Sequence, residues 1–247
     1  MRALFSLAAF AVFVRSVTAI SWALIFDNGN TWIEQVFTIH VPPAPPADVT
    51  TGPWYFWCGL QPTGGGVVQP VLAFLGPEGN QVNPNPPFPE VYAMNLWALP
   101  WNIDEGGAPP TQESAGIWVD QGAQIASSVS FQGSQWVQSA NVISGAASGQ
   151  SVTLNTPDSY FQNTSPGNDN TMMTVCESEL YGSQIGEWDF SVTFTDVFFR
   201  AASSNGVEAL CQTATDHTDG NGFISFTGFS MFDEETCFWS SITLTPP

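Results

Sequence analysis

Beyond residue 20, apolar positions recur mostly at every second residue, in short runs closed off by Gly, Pro, Asn and Ser. Period-two alternation marks a half-buried strand, because successive side chains point to opposite faces of a sheet. The runs are also rich in β-branched and aromatic residues, which suit a pleated surface. Strands are expected at Ser21–Phe26, Thr31–His40, Tyr55–Leu60, Val67–Leu75, Tyr92–Leu99, Ile117–Val119 and Gln124–Phe131. Later ones are expected at Gln135–Ile143, Ser151–Asn155, Met172–Tyr181, Asp189–Arg200, Val207–Gln212, Phe223–Phe229 and Phe238–Leu244. No segment of useful length carries the helical period of about 3.6 residues. The pattern predicts an all-β chain, an antiparallel β-sandwich of two large sheets. Pro42–Pro46, Gly76–Pro89 and Asp104–Gln112 read as surface loops within one domain, since strands resume on each side.

Residues 1–19 break the pattern. Met1 and Arg2 precede the apolar run Ala3–Val14, and Val17-Thr18-Ala19 supplies small residues for cleavage. That is the layout of a secretory signal peptide, too short to span a bilayer. The expected organisation is therefore a signal peptide over 1–19 and a single β-sandwich domain over 20–247, in a secreted, extracellular, monomeric protein.

Charge narrows the partners. The sequence has no lysine, and Arg2, Arg15 and Arg200 stand against 22 acidic residues, for a net charge of −19. Such a balance disfavours nucleic acid and anionic membrane surfaces as partners. Self-repulsion at neutral pH eases as carboxylates protonate, which suits an acid environment.

The four cysteines form an even set, so disulfides are expected in an exported chain. Cys211 with Cys237 is the local pairing, which leaves Cys58 with Cys176. Zinc is not expected, since there is no C-x-x-C and the histidines are only His40 and His217. No cofactor is expected either. Asp219-Gly220-Asn221-Gly222 reads as a hairpin turn rather than a calcium loop. Asn163-Thr164-Ser165 is a glycosylation sequon, with Asn163 the acceptor.

Two polar interruptions of apolar strands are the candidate chemistry. Val67–Leu75 is apolar throughout except for one amide and one proline, and the amide, Gln69, costs a few kcal/mol if buried unpaired. In Met172–Tyr181, Glu177 and Glu179 fall on one face of the strand. Two close carboxylates raise one another's pKa, and one can then serve as general acid or base.

Several blocks, in order, resemble the eqolisins, the fungal glutamic peptidases. Ser21-Trp22-Ala23 is similar to their Asn-Trp-Ala-Gly start, and Phe37-Thr38-Ile39-His40-Val41-Pro42 to Phe-Thr-Val-Pro. Trp57-Cys58-Gly59-Leu60 followed by Val67-Val68-Gln69-Pro70-Val71 resembles Trp-Val-Gly-Ile-Asp-Gly and Ile-Leu-Gln-Thr-Gly-Val. Val119–Ile125, Asn141 with Ser148–Val152, Glu177–Glu179 and Asp189–Thr195 extend the likeness over most of the chain. The resemblance implies a jelly-roll, concanavalin A-like sandwich that cuts polypeptide in acid. It implies Gln69 as the amide that stabilises the oxyanion. Glu177, or else Glu179, becomes the carboxylate that activates water. Trp57, Trp97 and Trp101 are candidate substrate-binding residues. The alternatives are a glycan-binding or glycan-cleaving sandwich with polysaccharide stacked on Trp54, Tyr55, Trp57, Trp97, Trp101 and Trp118, and a catalytically inactive extracellular homologue.

Overall fold

A computed structural model describes residues 20–26, 28–46, 53–62, 66–74, 92–100, 111–161, 171–180, 184–214, 217–218 and 222–246. Its strands are β1 (Ile20–Ile25), β2 (Trp32–His40), β3 (Trp54–Pro62), β4 (Val67–Phe74), β5 (Tyr92–Leu99), β6 (Gln112–Glu113), β7 (Ile117–Val119) and β8 (Gln124–Phe131). There follow β9 (Gln135–Val142), β10 (Ser151–Pro157), β11 (Thr171–Glu179), β12 (Val192–Ala201), β13 (His217–Thr218), β14 (Phe223–Thr227), β15 (Ser230–Met231) and β16 (Thr236–Thr245). Among the described residues two short α-helices interrupt them, α1 (Gln184–Glu187) and α2 (Val207–Gln212), with a 3-10 turn at Asp158–Tyr160.

The strands form two antiparallel sheets packed face to face, as the alternation predicts. The first runs β10-β9-β8-β2-β12-β16, with β14 and β15 on β16. The second runs β13-β1-β11-β3-β4-β5, with β6 and β7 on β5. One register pair, Thr171 opposite Trp32, links them. Strands β4 and β5 pack across the interior on β8, β9 and β10.

Period-two burial builds the core between the sheets. Phe37 and Ile39 of β2, Phe194 and Phe199 of β12, and Trp239 and Ile242 of β16 point inward from the first sheet. Trp22, Phe56, Leu60, Val68, Leu72 and Met94 answer from the second. Trp22 stacks on Phe199 at 5.4 Å and meets Trp239 edge-on at 5.0 Å, so aromatic rings carry the contact between sheets. Trp54, one of the aromatics considered for sugar stacking, is instead fully buried, its ring against Phe74 and Phe190.

Both expected disulfides are present. Cys58 and Cys176 are direct cross-strand partners on β3 and β11, with Cα atoms 3.9 Å apart. Cys211 and Cys237 tie α2 to β16. The strand expected at Val207–Gln212 is thus a helix. Val207 and Cys211 are its buried residues, one helical turn apart, and Glu208 between them is exposed. Gly206, at φ 76°, turns the chain into it. In six residues such spacing does not separate helix from strand. The signal-peptide stretch, Trp101, Asn163, the loop 76–89 and most of the expected turn at 219–222 lie outside the described residues.

Candidate functional site

Strand β4 is buried on both faces, unlike the alternating strands β2, β8 and β9 of the first sheet. Its inward residues join the main core. Its outward ones, Val71 and Ala73, form a second apolar cluster with Trp57, Val175 and Ala23, against which Tyr55, Trp97, Val67 and Met173 pack. Gln69 has the same parity as Val71 and so belongs to this outer face. The aromatic cover explains why an amide on an outer face is only 2 % exposed.

The disulfide fixes the arrangement around it. Because Cys58 and Cys176 are paired inward, their sequence neighbours are paired outward: Val175 opposite Gly59, and Glu177 opposite Trp57. Glu179 stands opposite Tyr55. On the other side of β3, the register runs Trp57 opposite Val71 and Leu60 opposite Val68, which sets Gly59 against Gln69. Gln69 in turn faces Trp97, and Trp97 faces Glu113. One row across the sheet therefore reads Val175, Gly59, Gln69, Trp97, Glu113.

Gly59 is the gap in that row. A Cβ there would stand 2.8 Å from the Val68 carbonyl oxygen, 2.9 Å from Gln69 Cβ and 3.1 Å from Trp57 Cζ3. The indole of Trp57 thus leans over the glycine with its benzo edge, while its Nε1 donates to Glu179 Oε2 at 3.1 Å. One ring connects the carboxylate to the neighbourhood of Gln69.

Further along, the rings of Tyr55 and Trp97 meet edge to face at 5.1 Å. Burial, and then the charges of Glu179 and Glu113, push the Tyr55 phenol up to about 12. Asn95, on the same face of β5, is 1 % exposed. It donates Nδ2 to Glu113 Oε1 at 3.0 Å, and Gly116 lies against its amide, where a Cβ would come within 3.1 Å. The side-chain oxygens of Gln69 and Asn95 are buried without a hydrogen-bond partner. Among the described residues no group of His, Cys, Asp and Glu side chains is placed to hold a metal ion.

The structure thus brings Gln69, Trp57, Trp97 and Glu179 onto one face, with Glu177 on the same strand face as Glu179. It does not set either glutamate across from Gln69. Strands lie about 4.8 Å apart and rise about 3.4 Å per residue, so Glu177, two strands and two residues away, has its Cα about 12 Å from that of Gln69. Asn95 and Glu113 were missed in the sequence. Asn95 carried the same signal as Gln69, an amide inside an apolar run. Glu113 carried none, because it follows a Gly/Pro-rich loop and sits in a two-residue strand.

No protein-family model matches the sequence, and no curated protein does. Solved structures do match. Scytalido-glutamic peptidase, with a peptide-based transition-state analogue, superposes with a TM-score of 0.57 at 15% identity, covering 94% of this chain and 99% of that one. This chain has the eqolisin fold. SCP-B, an eqolisin solved with the tripeptide Ala-Ile-His, gives a TM-score of 0.53 at 14% identity over 94% of this chain and 99% of its own. The eqolisin fold thus spans nearly the whole chain, with Gln69 and the flanking aromatics on the outer face of its second sheet.

Proposed function

We propose that this chain is an exported polypeptide-binding protein on the eqolisin fold. It holds its ligand along the outer face of β3, β4, β5 and β11 and does not cut it through a glutamine–glutamate pair. The observation that carries this reading is Val175. It faces Gly59 in register, and Gly59 faces Gln69, so the side chain that looks across the glycine gap at the amide is an isopropyl group. A water shared by an amide and a general base needs both within about 3 Å of it. A valine has no proton to exchange. Glu177 and Glu179 stand one and two pleats further along β11, and Glu179 is engaged by the Trp57 indole. Export is supported by the leader-like first 19 residues and by two disulfides, which persist in oxidising compartments. Polypeptide is the ligand class because peptidase structures share the fold and the face is lined by aromatic and amide groups.

The purified full chain, incubated with denatured protein from about pH 2 to pH 7, should release no new termini above background. It should bind unstructured peptide with a change in tryptophan fluorescence. Digestion in acid that is lost on Glu177→Gln would overturn the non-hydrolytic reading and establish Glu177 as the acid–base group.

A further inference from the structure

In a chain of net charge −19, the outer face of the first sheet is nearly uncharged. Besides His40, the strands β10, β9, β8, β2, β12, β16 and β14 hold only Glu34, Asp196 and Arg200 as acidic or basic residues, and Arg200 is bonded to Glu34. Most of the other outward residues carry hydroxyls or amides. Across one row, Thr227 faces Ser241, Ser241 faces Thr195, and Thr195 faces Thr38. A second row runs Phe238, Phe198, Val36, Ser128, Ser139 and Thr153. Neighbouring hydroxyls bond across the strands, Thr227 to Ser241 at 2.9 Å and Ser128 to Ser139 at 2.8 Å.

The aromatic end of the second row borders a cleft of about 200 Å³. Val36, Phe198 and Phe232 line its apolar side, and Glu34, Arg200 and Asp233 its polar side. Phe232 is 72 % exposed, with its ring edge-on to Phe198 at 5.6 Å, and Phe198 lies 4.7 Å from Phe238. Exposed apolar patches rimmed by polar groups mark interaction sites. Pockets for whole drug-sized ligands measure about 300–1,000 Å³, so this cleft takes one ring of something longer. The surroundings narrow its chemistry. An anion meets the net charge, and a cation meets Arg200. An extended peptide finds no open edge, because β2 is paired with both β8 and β12, and β12 with both β2 and β16. Hydroxyls donate and accept alike, which suits a neutral ligand that does the same.

We propose that the outer face of the first sheet binds a neutral polysaccharide chain, one sugar ring seated in the cleft between Phe198 and Phe232 and its neighbours lying along the row of Ser128 and Ser139. The site is independent of the polypeptide-binding reading and lies on the opposite sheet. A pyranose ring presents C–H groups to an aromatic face and hydroxyls at its rim. Arg200 gives its Nε to Glu34 and keeps both Nη amines to donate to a sugar oxygen. Glu34 and Asp233 accept from sugar hydroxyls, and hydrogen bonds to ionised groups are the stronger kind. Within a row the side chains recur about every 4.8 Å, close to the length of one sugar unit.

The test uses the full chain at neutral pH, sedimented with insoluble chitin and insoluble β-glucan and titrated calorimetrically with the soluble hexasaccharide of each. At least one should bind, and the polyanion heparin should not. Phe232→Ala and Arg200→Gln should each weaken binding about tenfold. A control, Ile143→Ala, which removes another exposed apolar side chain just beyond β9, should keep it. Circular dichroism establishes that each variant is folded, and the open position of Phe232 protects against Arg200→Gln failing. Peptide binding, followed by tryptophan fluorescence, should be unchanged in Phe232→Ala. Loss of both ligands together in that variant would put them on one face and overturn the second site. So would glycan binding that survives both variants, heparin binding as tight as that of the hexasaccharides, or no binding to any polysaccharide. A dimer in sedimentation velocity that Phe232→Ala dissolves would assign the face to a second copy of this chain and overturn the proposal as well.

Discussion

At the scale of single residues, environment decides what each side chain can do. Tyr55 is the clearest case. Its phenol ionises near pH 10 in an unfolded chain and only at about 12 here, because burial and then Glu179 and Glu113 oppose the phenolate. A raised folded pKa means that its contribution to stability is full below about pH 10 and drains away as pH rises toward 12, since the unfolded chain ionises first. Tyr55→Phe should therefore lose less stability than the parent between about pH 9 and pH 11, read as the shift in urea midpoint. The loss will not vanish, because burial also raises Tyr92 and Tyr160. Identical shifts in the two proteins would show that the phenol is not shielded. Gln69 was legible as a buried amide from its apolar surroundings alone. What it faces was not, because period two gives the face of Glu177 and Glu179 but not their step along the strand.

At the scale of elements, β3 and β11 are held in register from inside and outside at once. Inside, the Cys58–Cys176 bridge closes a separation of 118 residues. Outside, Gly59 lets Gln69 and Trp57 pack over the pleat. Gly59→Ala puts a methyl group against the Val68 carbonyl, which is backbone and cannot swing aside. We expect it to destabilise the fold by about 1–3 kcal/mol, as overpacking does. Denaturation midpoints with an unchanged m-value would verify this, and a neutral effect would mean the β3–β4 pair has slack. The disulfide pairing was readable by elimination, since local pairing of Cys211 and Cys237 leaves one choice. The helix α2 was not readable, because its two buried positions fit either period. Strand β4 looked like an interior strand in sequence. It is one, between β3 and β5, but its outer face is buried by Tyr55, Trp57 and Trp97, a tertiary effect that no local pattern carries.

At the scale of the whole molecule, the two-sheet sandwich was legible because its strands alternate so regularly. Strand order was not: β11, late in the chain, inserts between β1 and β3, and β12 lies beside β2. Pairings that distant depend on the assembled core rather than on neighbouring sequence. Charge is equally uneven, since Arg200, side by side with Glu34, lies in a strand hydrogen-bonded to β2 on one side and β16 on the other. Beyond residue 20 it is the one site where trypsin, which needs Lys or Arg, can cut. To reach it, the protease must wait for β12 to leave both partners, an opening close to global unfolding. The folded chain should therefore resist trypsin, and its slow cleavage should follow global stability. That cut would yield two pieces that part on a non-reducing gel, because Cys58–Cys176 lies wholly before it and Cys211–Cys237 wholly after. Rapid cleavage under native conditions would show that β12 opens on its own. A single guanidinium in mid-sheet thus gives the molecule a built-in gauge of its own unfolding.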